Sequence, residues 1–292
     1  MRHDGELAVQ RRTGILKPIG SARIGATIPR GFDDFLSDQP FVILGAGTEA
    51  VWATVLTGDP GFARIVDERT VVIDAVPGPE DPLFGHLNAE QAVGLLAIEP
   101  ETRRRIRLNG RARSTGDGLV LRTDQAYGNC PKYIQQRVIT ASHDASGAGR
   151  RTYDGTALTT TQRDRIAGAD TFFIASAAAG LGVDASHRGG PPGFVRVLDE
   201  RRLAWPDYVG NSMYMTLGNL ELNPAAGLLF VDWDRGDTLH LTGRATVDWD
   251  PARAATMPGA QRVVDFEVDR VVQLDGASPL RWRLVSASPF NP

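Results

Sequence analysis

The sequence predicts a mainly β protein: two copies of a small six-stranded barrel in tandem, with a few short helices. Three observations carry this. The chain repeats itself at offsets of 132 and 133 residues. Each copy breaks into short runs of Val, Ile, Leu, Phe and Thr, separated by Gly, Pro and Asp. Helical periodicity is confined to a few brief stretches.

The repeat comes first, because it organises everything else. Residues 58–70 read GDPGFARIVDERT and residues 190–202 read GPPGFVRVLDERR, sharing 8 of 13 positions. Residues 94–112 and 227–245 share 7 of 19, where chance gives roughly one. Order, spacing and turn residues all recur, so the copies fall at about 41–125 and 171–275. The organisation read from this is an N-terminal arm with a helix at 1–40, a first barrel at 41–125 and a joining segment with helices at 126–170. A second barrel with a C-terminal tail follows at 171–292.

In the second copy the strand runs are Thr171–Ser176, Leu181–Ser186, Phe194–Leu198, Ala226–Asp232, Thr238–Arg244 and Val263–Val272. Closing such short strands into a barrel removes exposed edges. The expected helices are Arg30–Ser37, Lys132–Thr140 after Pro131, Thr160–Ala167 with a threonine cap and a stop at Gly168, and Met213–Leu222. Ser146–Gly149 and Thr152–Thr156 read as exposed loop. A barrel this small fills its own interior with side chains, so a ligand is expected in a groove between the two.

Composition removes several classes. The 292 residues are 42% hydrophobic and 23% charged, with a net charge of -3 and a mean hydropathy of -0.20. That suits a chain with a sizeable core and argues against a nucleic-acid partner. No run reaches membrane-spanning length, and the start MRHDGELAVQRR lacks an apolar signal core. A cytoplasmic protein with no membrane partner is expected. Cys130 is the single cysteine, which excludes an internal disulfide and a thiolate zinc cluster. Of the 32 basic residues only Lys17 and Lys132 are lysines. With the abundant Gly and Ala this reads as the signature of a GC-rich bacterial genome.

The copies are most informative where they differ. Asp184, Ser186 and Arg188 alternate on one strand face, where the first copy has Trp52, Thr54 and Leu56. With Gly189 and Gly190 they could cradle a phosphate; the plainer alternative is a surface hairpin with an Asp184–Arg188 pair. Gly210, Asn211 and Ser212 precede an expected helix, and so offer either an anion site or ordinary caps. The first copy has Gly78, Pro79 and Glu80 near that place, which would repel a phosphate. A third element, Asn129, Lys132, Tyr133 and Gln135, supplies donors and an aromatic face, or simply a solvated helix start. One half therefore reads as keeping a site and the other as scaffold. The run VILGAGTEA, with Gly45 and Gly47, imitates a dinucleotide fingerprint, but no helix follows it. The histidines, His3, His86, His143, His187 and His240, lack metal-ligand spacing, and no metal is expected. The recurring Asp67–Glu68 and Asp199–Glu200 fit turns better than catalysis, and a nucleophilic Cys130 has no nearby His.

The pieces DASHRGGPPGFVRV, GNS-(x4)-LGN-(x3)-NP-(x2)-GLLF and LTGRA together resemble the pyridoxamine 5′-phosphate oxidase-related family of FMN-binding split barrels. NCPKYIQ and HDGELAVQ resemble a long, duplicated branch of it. The resemblance implies six-stranded Greek-key split barrels with a flavin where two barrels meet, here both from one chain as a pseudo-dimer; a homodimer stays open. It implies an oxidoreductase using FMN, or alternatively FAD or a deazaflavin, with a small-molecule substrate or an electron donor such as NAD(P)H. The other alternative is a non-catalytic flavin or haem carrier or a stress protein. Carried over by position, Ser186, Arg188, Asn211 and Ser212 would hold the FMN phosphate. Asn129, Lys132, Tyr133 and Gln135 would approach the flavin, with His187, Gly189 and Asn219 as further contacts. No catalytic residue is assigned. An arginine often follows the Gly-Asn pair in the family, and Ser212 and Met213 stand there in this chain. The basic residues that a true pyridoxamine phosphate oxidase uses for its substrate are also missing, so that activity is not expected.

Overall fold

The computed structural model describes residues 3–15, 24–142 and 150–292. Lys17, His143 and the expected loop at 146–149 lie outside them. The chain opens with helix α1 (Asp4–Arg12) and the short α2 (Asp33–Ser37). The first sheet follows as β1 (Phe41–Ala46), β2 (Trp52–Thr57), β3 (Ala63–Asp67), β4 (Thr70–Ile73), β5 (Gln91–Glu99), β6 (Arg104–Ser114) and β7 (Leu119–Gly128). Between the sheets come β8 (Gln136–Ser142), β9 (Arg150–Gly155) and α3 (Thr160–Gly168). The second sheet is β10 (Thr171–Ala178), β11 (Gly182–Gly189), β12 (Arg196–Val197), β13 (Arg202–Asp207), β14 (Ala225–Val231), β15 (Thr238–Asp248) and β16 (Arg262–Asp275). Helix α4 (Met215–Leu222) precedes β14, α5 (Pro251–Ala254) precedes β16, and β17 (Leu280–Ser286) ends the chain.

The first sheet runs β2-β1-β5-β6-β7-β4-β3 and the second β11-β10-β14-β15-β16-β13-β12. Strand for strand these are the same order. Each path has seven strands where six were expected. The extra one is the hairpin partner typified by β13, whose Trp-Pro-Asp ending hides its strand character from a propensity reading.

β1 and β10 are buried along their whole length, and alternation explains why. Val42, Leu44 and Ala46 join the first barrel's core, while Phe172 and Ile174 join the second's. The intervening Phe41, Ile43, Phe173, Ala175 and Ala177 meet in a third cluster between the barrels. Each large apolar side chain withdrawn there contributes about 1.5–3 kcal/mol.

The barrels approach until backbone meets backbone. A Cβ added at Gly94 on β5 would lie 2.5 Å from the Ala185 amide nitrogen on β11. One added at Gly227 on β14 would lie 2.5 Å from the Val51 carbonyl oxygen. Gly94 and Gly227 are repeat partners. Between them, a Cβ on Gly45 would lie 2.7 Å from that of Ala175. Gly45 pairs with Gly94 on the neighbouring strand as Ala175 pairs with Gly227. These equivalent positions face each other across an approximate two-fold axis.

Three local expectations are corrected. Lys132–Thr140 is not a helix: after a tight turn at Pro131–Ile134, β8 begins at Gln136 and pairs with β17. The β-branched run Val138, Ile139, Thr140 favours a strand once a partner edge exists. Thr152–Thr156 is mostly strand, because β9 adds to the end of β16. The helix expected from Met213 starts at Met215. Helix α3 behaves as its sequence suggests, with Thr159 and Gln162 forming a reciprocal capping box. Helix α1 was not anticipated. It lies against α4 through Gly5 and Gly218, where a Cβ on Gly5 would sit 2.0 Å from the Gly218 carbonyl oxygen.

Gly227→Val should therefore cost about 3 kcal/mol or more, at the top of the overpacking range. Gly168, which has open space around it and no left-handed backbone, serves as a control: Gly168→Ala should change stability by less than about 1 kcal/mol. Urea unfolding of both variants checks this.

Candidate functional site

The seam between the barrels has two related sides. On one, β11 packs against β5 and β6; on the other, β2 packs against β14 and β15. The two sides have diverged in chemistry.

The first side centres on Asp184, which is 1% exposed. Its carboxylate accepts from the Ser186 hydroxyl at 2.6 Å, the Tyr127 hydroxyl at 3.0 Å, Thr216 at 3.3 Å, the Asn109 amide at 3.3 Å and Arg107 at 3.4 Å. Burial alone would push this carboxyl up. The Arg107 guanidinium and the surrounding donors outweigh it and hold Asp184 below the ordinary carboxylate range. Burial, reinforced by the Asp184 charge, drives the Tyr127 phenol upward, so it remains a donor.

In front of this hub lies a pocket, lined among others by Arg105, Arg107, Lys132, Arg188, Asp207 and Tyr208. Its cavity volume is about 110 Å³, and the space with the open mouth included is about 820 Å³, so a ligand would extend into the mouth. The walls are rich in cations. Asp184 pairs with Arg107, and Asp207 pairs with Arg262 at 3.3 Å. Arg105 and Arg188 have no carboxylate within salt-bridge distance among the described residues, and Asp207 attracts Arg188 from further off. Arg105 donates instead to the Cys130 carbonyl at 2.6 Å and to His187 Nδ1 at 3.2 Å. Burial, together with the charges of Arg107 and Arg188, pushes Arg105 down to about 9. It is still charged near neutrality. Since a guanidinium can only donate, His187 must carry its proton on Nε2. Burial and the same arginines push His187 well below its ordinary value, so it is neutral at pH 7. Both arginines are half-buried, and a cation drawn from water without a close carboxylate is destabilised. Two side by side make the pocket receptive to an anion. The buried Asn129 Oδ1 and the Nε groups of Arg105 and Arg107 have no hydrogen-bond partner, which leaves further polar capacity for a ligand.

The opposite wall is the segment from Tyr208 to Tyr214. Ser212 and Tyr214 adopt left-handed backbone at φ 59° and 56°, which costs non-glycine residues about 1–3 kcal/mol each. Tyr214, rather than Asn211 or Ser212, is the N-cap of α4, and no side chain caps the helix. Its first amides, at Met215, Thr216 and Leu217, lie along the pocket. The dipole at that end attracts negative charge. Asn211 instead accepts from the Met213 amide at 3.1 Å, within the loop.

The structure brings Asn129, Lys132, Tyr133, His187, Arg188, Gly189, Asn211 and Ser212 to this one pocket. Lys132 sits 5.6 Å over the Phe290 ring. Tyr133, at φ 67°, donates to the Val209 carbonyl at 3.0 Å and lies against Tyr208. Gly189 is required here, since a Cβ would lie 2.0 Å from the Tyr133 carbonyl oxygen. Three expected residues lie elsewhere. Ser186 is fully buried against Asp184 and Thr216. Gln135 ties the joining segment to Gly190, Ser288 and Asn291. Asn219 donates to Ser176 and accepts from His3, which fastens α4 to β10 and to the N-terminal segment.

Sequence comparison missed Arg105 and Arg107, and with them the first barrel's share. That half is more than scaffold: β6 delivers two of the pocket's arginines. The signal was present at the same offset of 133 residues, which pairs Arg105 with Thr238 and Arg107 with His240. On the mirror side Trp52 and Leu56, replacing Asp184 and Arg188, are buried in the core. His240 donates from Nδ1 to the Ala53 carbonyl at 2.9 Å and accepts from Thr238 at 2.8 Å. Burial lowers its pKa. That side is closed by Trp52, Leu56, Thr238 and His240, with the Asp81 carboxylate buried against the Thr54 hydroxyl. Among the described residues no cluster of His, Cys, Asp and Glu could hold a metal, and no helix is long and apolar enough to cross a membrane.

Residues 158–275 match the family model for pyridoxamine 5′-phosphate oxidase. No curated protein matches the chain. Among solved structures, HupZ from Group A Streptococcus is 16% identical; the match covers 41% of this chain and 98% of that one, with a TM-score of 0.33. An FMN-binding protein from Syntrophomonas wolfei is 8% identical over 38% of this chain and 83% of that one, at 0.29. The FAD binding protein from Mycobacterium smegmatis is 12% identical over 41% and 99%, at 0.29.

Two outcomes follow for the hub and its histidines. Asp184→Asn leaves Arg107 buried without its charge partner and should cost about 3–5 kcal/mol in denaturant unfolding. His187 and His240 are held neutral in the fold but protonate near pH 6.5 when unfolded. The unfolded chain then binds more protons, so their contribution is complete above about pH 6.5 and is lost as pH falls. Thermal midpoints should drop between about pH 7 and 5, and less steeply in His240→Asn. A flat profile would contradict the neutral assignment.

Proposed function

We propose that this chain, which carries a pyridoxamine 5′-phosphate oxidase-like split barrel over residues 158–275, binds one flavin in the seam pocket and acts as a flavin-dependent oxidoreductase. The observation that carries this reading is the pair of cations without a salt-bridge partner, Arg105 and Arg188, beside the uncapped start of α4. A flat, uncharged ligand would leave them unpaired; one with a phosphate tail neutralises them. In this reading both barrels come from one chain, a duplicated pseudo-dimer in which the mirror site has been filled. FMN is the cofactor favoured, with FAD or a deazaflavin as alternatives.

The residues divide the work. Arg188, Arg105 and the α4 amides hold the phosphate, with Asn211 and Ser212 shaping the loop over it. Tyr133 and Tyr208 form an aromatic wall for the ring system. Lys132 and Asn129 supply a cation and an amide at its polar edge. Ser186 and Asn219 act from behind, the first by orienting Asp184 and the second by fixing α4. Gln135 holds the joining segment in place. When bound, the isoalloxazine supplies electron or hydride transfer, and the protein supplies orientation and charge. A cation near the ring's polar edge favours the reduced, anionic form. The electron donor proposed is a nicotinamide nucleotide and the setting cytoplasmic.

A second reading rests on His187. It is held neutral, and no other His lines the pocket. A site without an acid or base poised near pH 7 suits a carrier of flavin or haem as well as an enzyme. Reduction of the bound flavin by NADH or NADPH in a stopped-flow trace separates the two.

The purified protein should be yellow, or should take up FMN with a shifted absorption band. Arg188→Ala should weaken FMN about 10–100-fold, the loss of a charge-assisted contact. Arg64→Ala, an exposed repeat arginine paired with Asp74, should leave affinity within about twofold. Colourless protein that induces no spectral change, or equal losses in both variants, would overturn the proposal.

A further inference from the structure

A groove leaves the flavin pocket on the side of the first barrel. It is lined by Phe32, Thr102, Arg103, Arg104, Arg105, Gly128, Asn129, Cys130, Pro131 and Asn211, with no acidic residue among them. Arg105, Asn129, Cys130 and Asn211 line both spaces, so the two adjoin. The three successive arginines have no carboxylate partner among the described residues. Arg103, at φ 58°, donates to the Ile134 carbonyl at 3.0 Å and to Ser286 at 2.8 Å. Arg104 is exposed, with its guanidinium 4.7 Å over the Phe35 ring. Phe32 stands edge-on to Phe35, with ring centroids 5.7 Å apart. Arg105 bridges the two spaces, and its Nε is buried and unpartnered, as is Asn129 Oδ1.

The chain carries 35 acidic residues against 32 basic ones, yet none of the acidic residues lines this groove. Three consecutive arginines in a groove with no acidic lining, beside a pocket in which Arg105 and Arg188 lack a salt-bridge partner, make a surface suited to a ligand that brings negative charge. Guanidinium groups recognise phosphate in preference to other anions through forked donors. Phe32 adds an aromatic wall.

We propose that this groove is a second phosphate subsite, which takes the adenosine-phosphate half of a dinucleotide whose redox ring lies in the flavin pocket. The inference rests on the flavin reading for the ring end only. Two molecules carry the same chemistry: FAD, as the resident cofactor, and a nicotinamide adenine dinucleotide, as the donor.

The test uses the full chain and Arg104→Ala, since Arg104 is exposed and outside the ring pocket, with Arg104→Glu as charge reversal. Calorimetry with 2′,5′-ADP on the protein as isolated reads the subsite without any flavin. Binding that weakens about tenfold in Arg104→Ala, and further in Arg104→Glu, supports the proposal. Titrations with FMN and FAD then identify the source. FAD binding tighter than FMN, with the advantage lost in Arg104→Ala and FMN affinity unchanged, assigns the subsite to the cofactor. Equal affinity for FMN and FAD, with weakened 2′,5′-ADP binding to the FMN-loaded variant, assigns it to the donor. No 2′,5′-ADP binding together with equal FMN and FAD affinity in all three proteins overturns it. Failure of FMN to bind while 2′,5′-ADP still binds would sink the flavin reading and leave the subsite standing.

Discussion

Two barrels of this kind can share a ligand only if their sheets come close enough for side chains from both to reach one point. Glycines at equivalent positions make that approach. Gly94 lets β11 lie against β5, Gly227 lets β2 lie against β14, and Gly45 faces Ala175 at the axis between them. A methyl at either outer position would meet main-chain atoms of the other barrel, which cannot swing aside as a side chain can. The small residues therefore fix the separation of the sheets, and the separation fixes the seam. Arg107 on one barrel can meet Asp184 on the other only because of it.

The seam is also where the halves part ways. An approximate two-fold arrangement offers two equivalent sites, and physical chemistry allows each to be filled in one of two ways. Apolar and neutral groups can pack the space, as Trp52, Leu56, Thr238 and His240 do. Charged groups can line it and await a counter-charge, as Arg105 and Arg188 do. The second choice is costly without a ligand, because half-buried cations lose hydration that no salt-bridged carboxylate replaces. Asp184 compensates one arginine, and its five donors show how much of the local hydrogen bonding goes into holding a single carboxylate. The left-handed residues at Ser212 and Tyr214 add strain to the facing wall. Strain and unpaired charge in one place, against satisfied packing in the other, is the clearest contrast in the molecule.

Much of this was legible in the sequence. The repeat predicted two like barrels, and the strand orders agree. The replacement of Leu56 by Arg188 between the copies pointed to a strand that borders the pocket, and eight of the expected residues line that pocket. The rest was hidden for identifiable reasons. Ser186 alternates in phase with Arg188 along β11, but the strand carries it inward to Asp184, and alternation alone does not say which end of a face a ligand reaches. The arginines of β6 sit in a run, RRRIR, that resembles any solvated strand edge until the partner barrel is placed over it. β8 read as a helix because the edge it pairs with, β17, lies more than one hundred residues further along. Long-range pairing of that sort overrides local propensity.

The central claim is that one side of the seam binds and the mirror side does not. Titration of FMN into a known concentration of the folded chain, followed by flavin fluorescence at concentrations well above the dissociation constant, reads the number of sites directly. One FMN per chain is the expected result. Saturation at two per chain would mean that the mirror side also binds, and would contradict the claim.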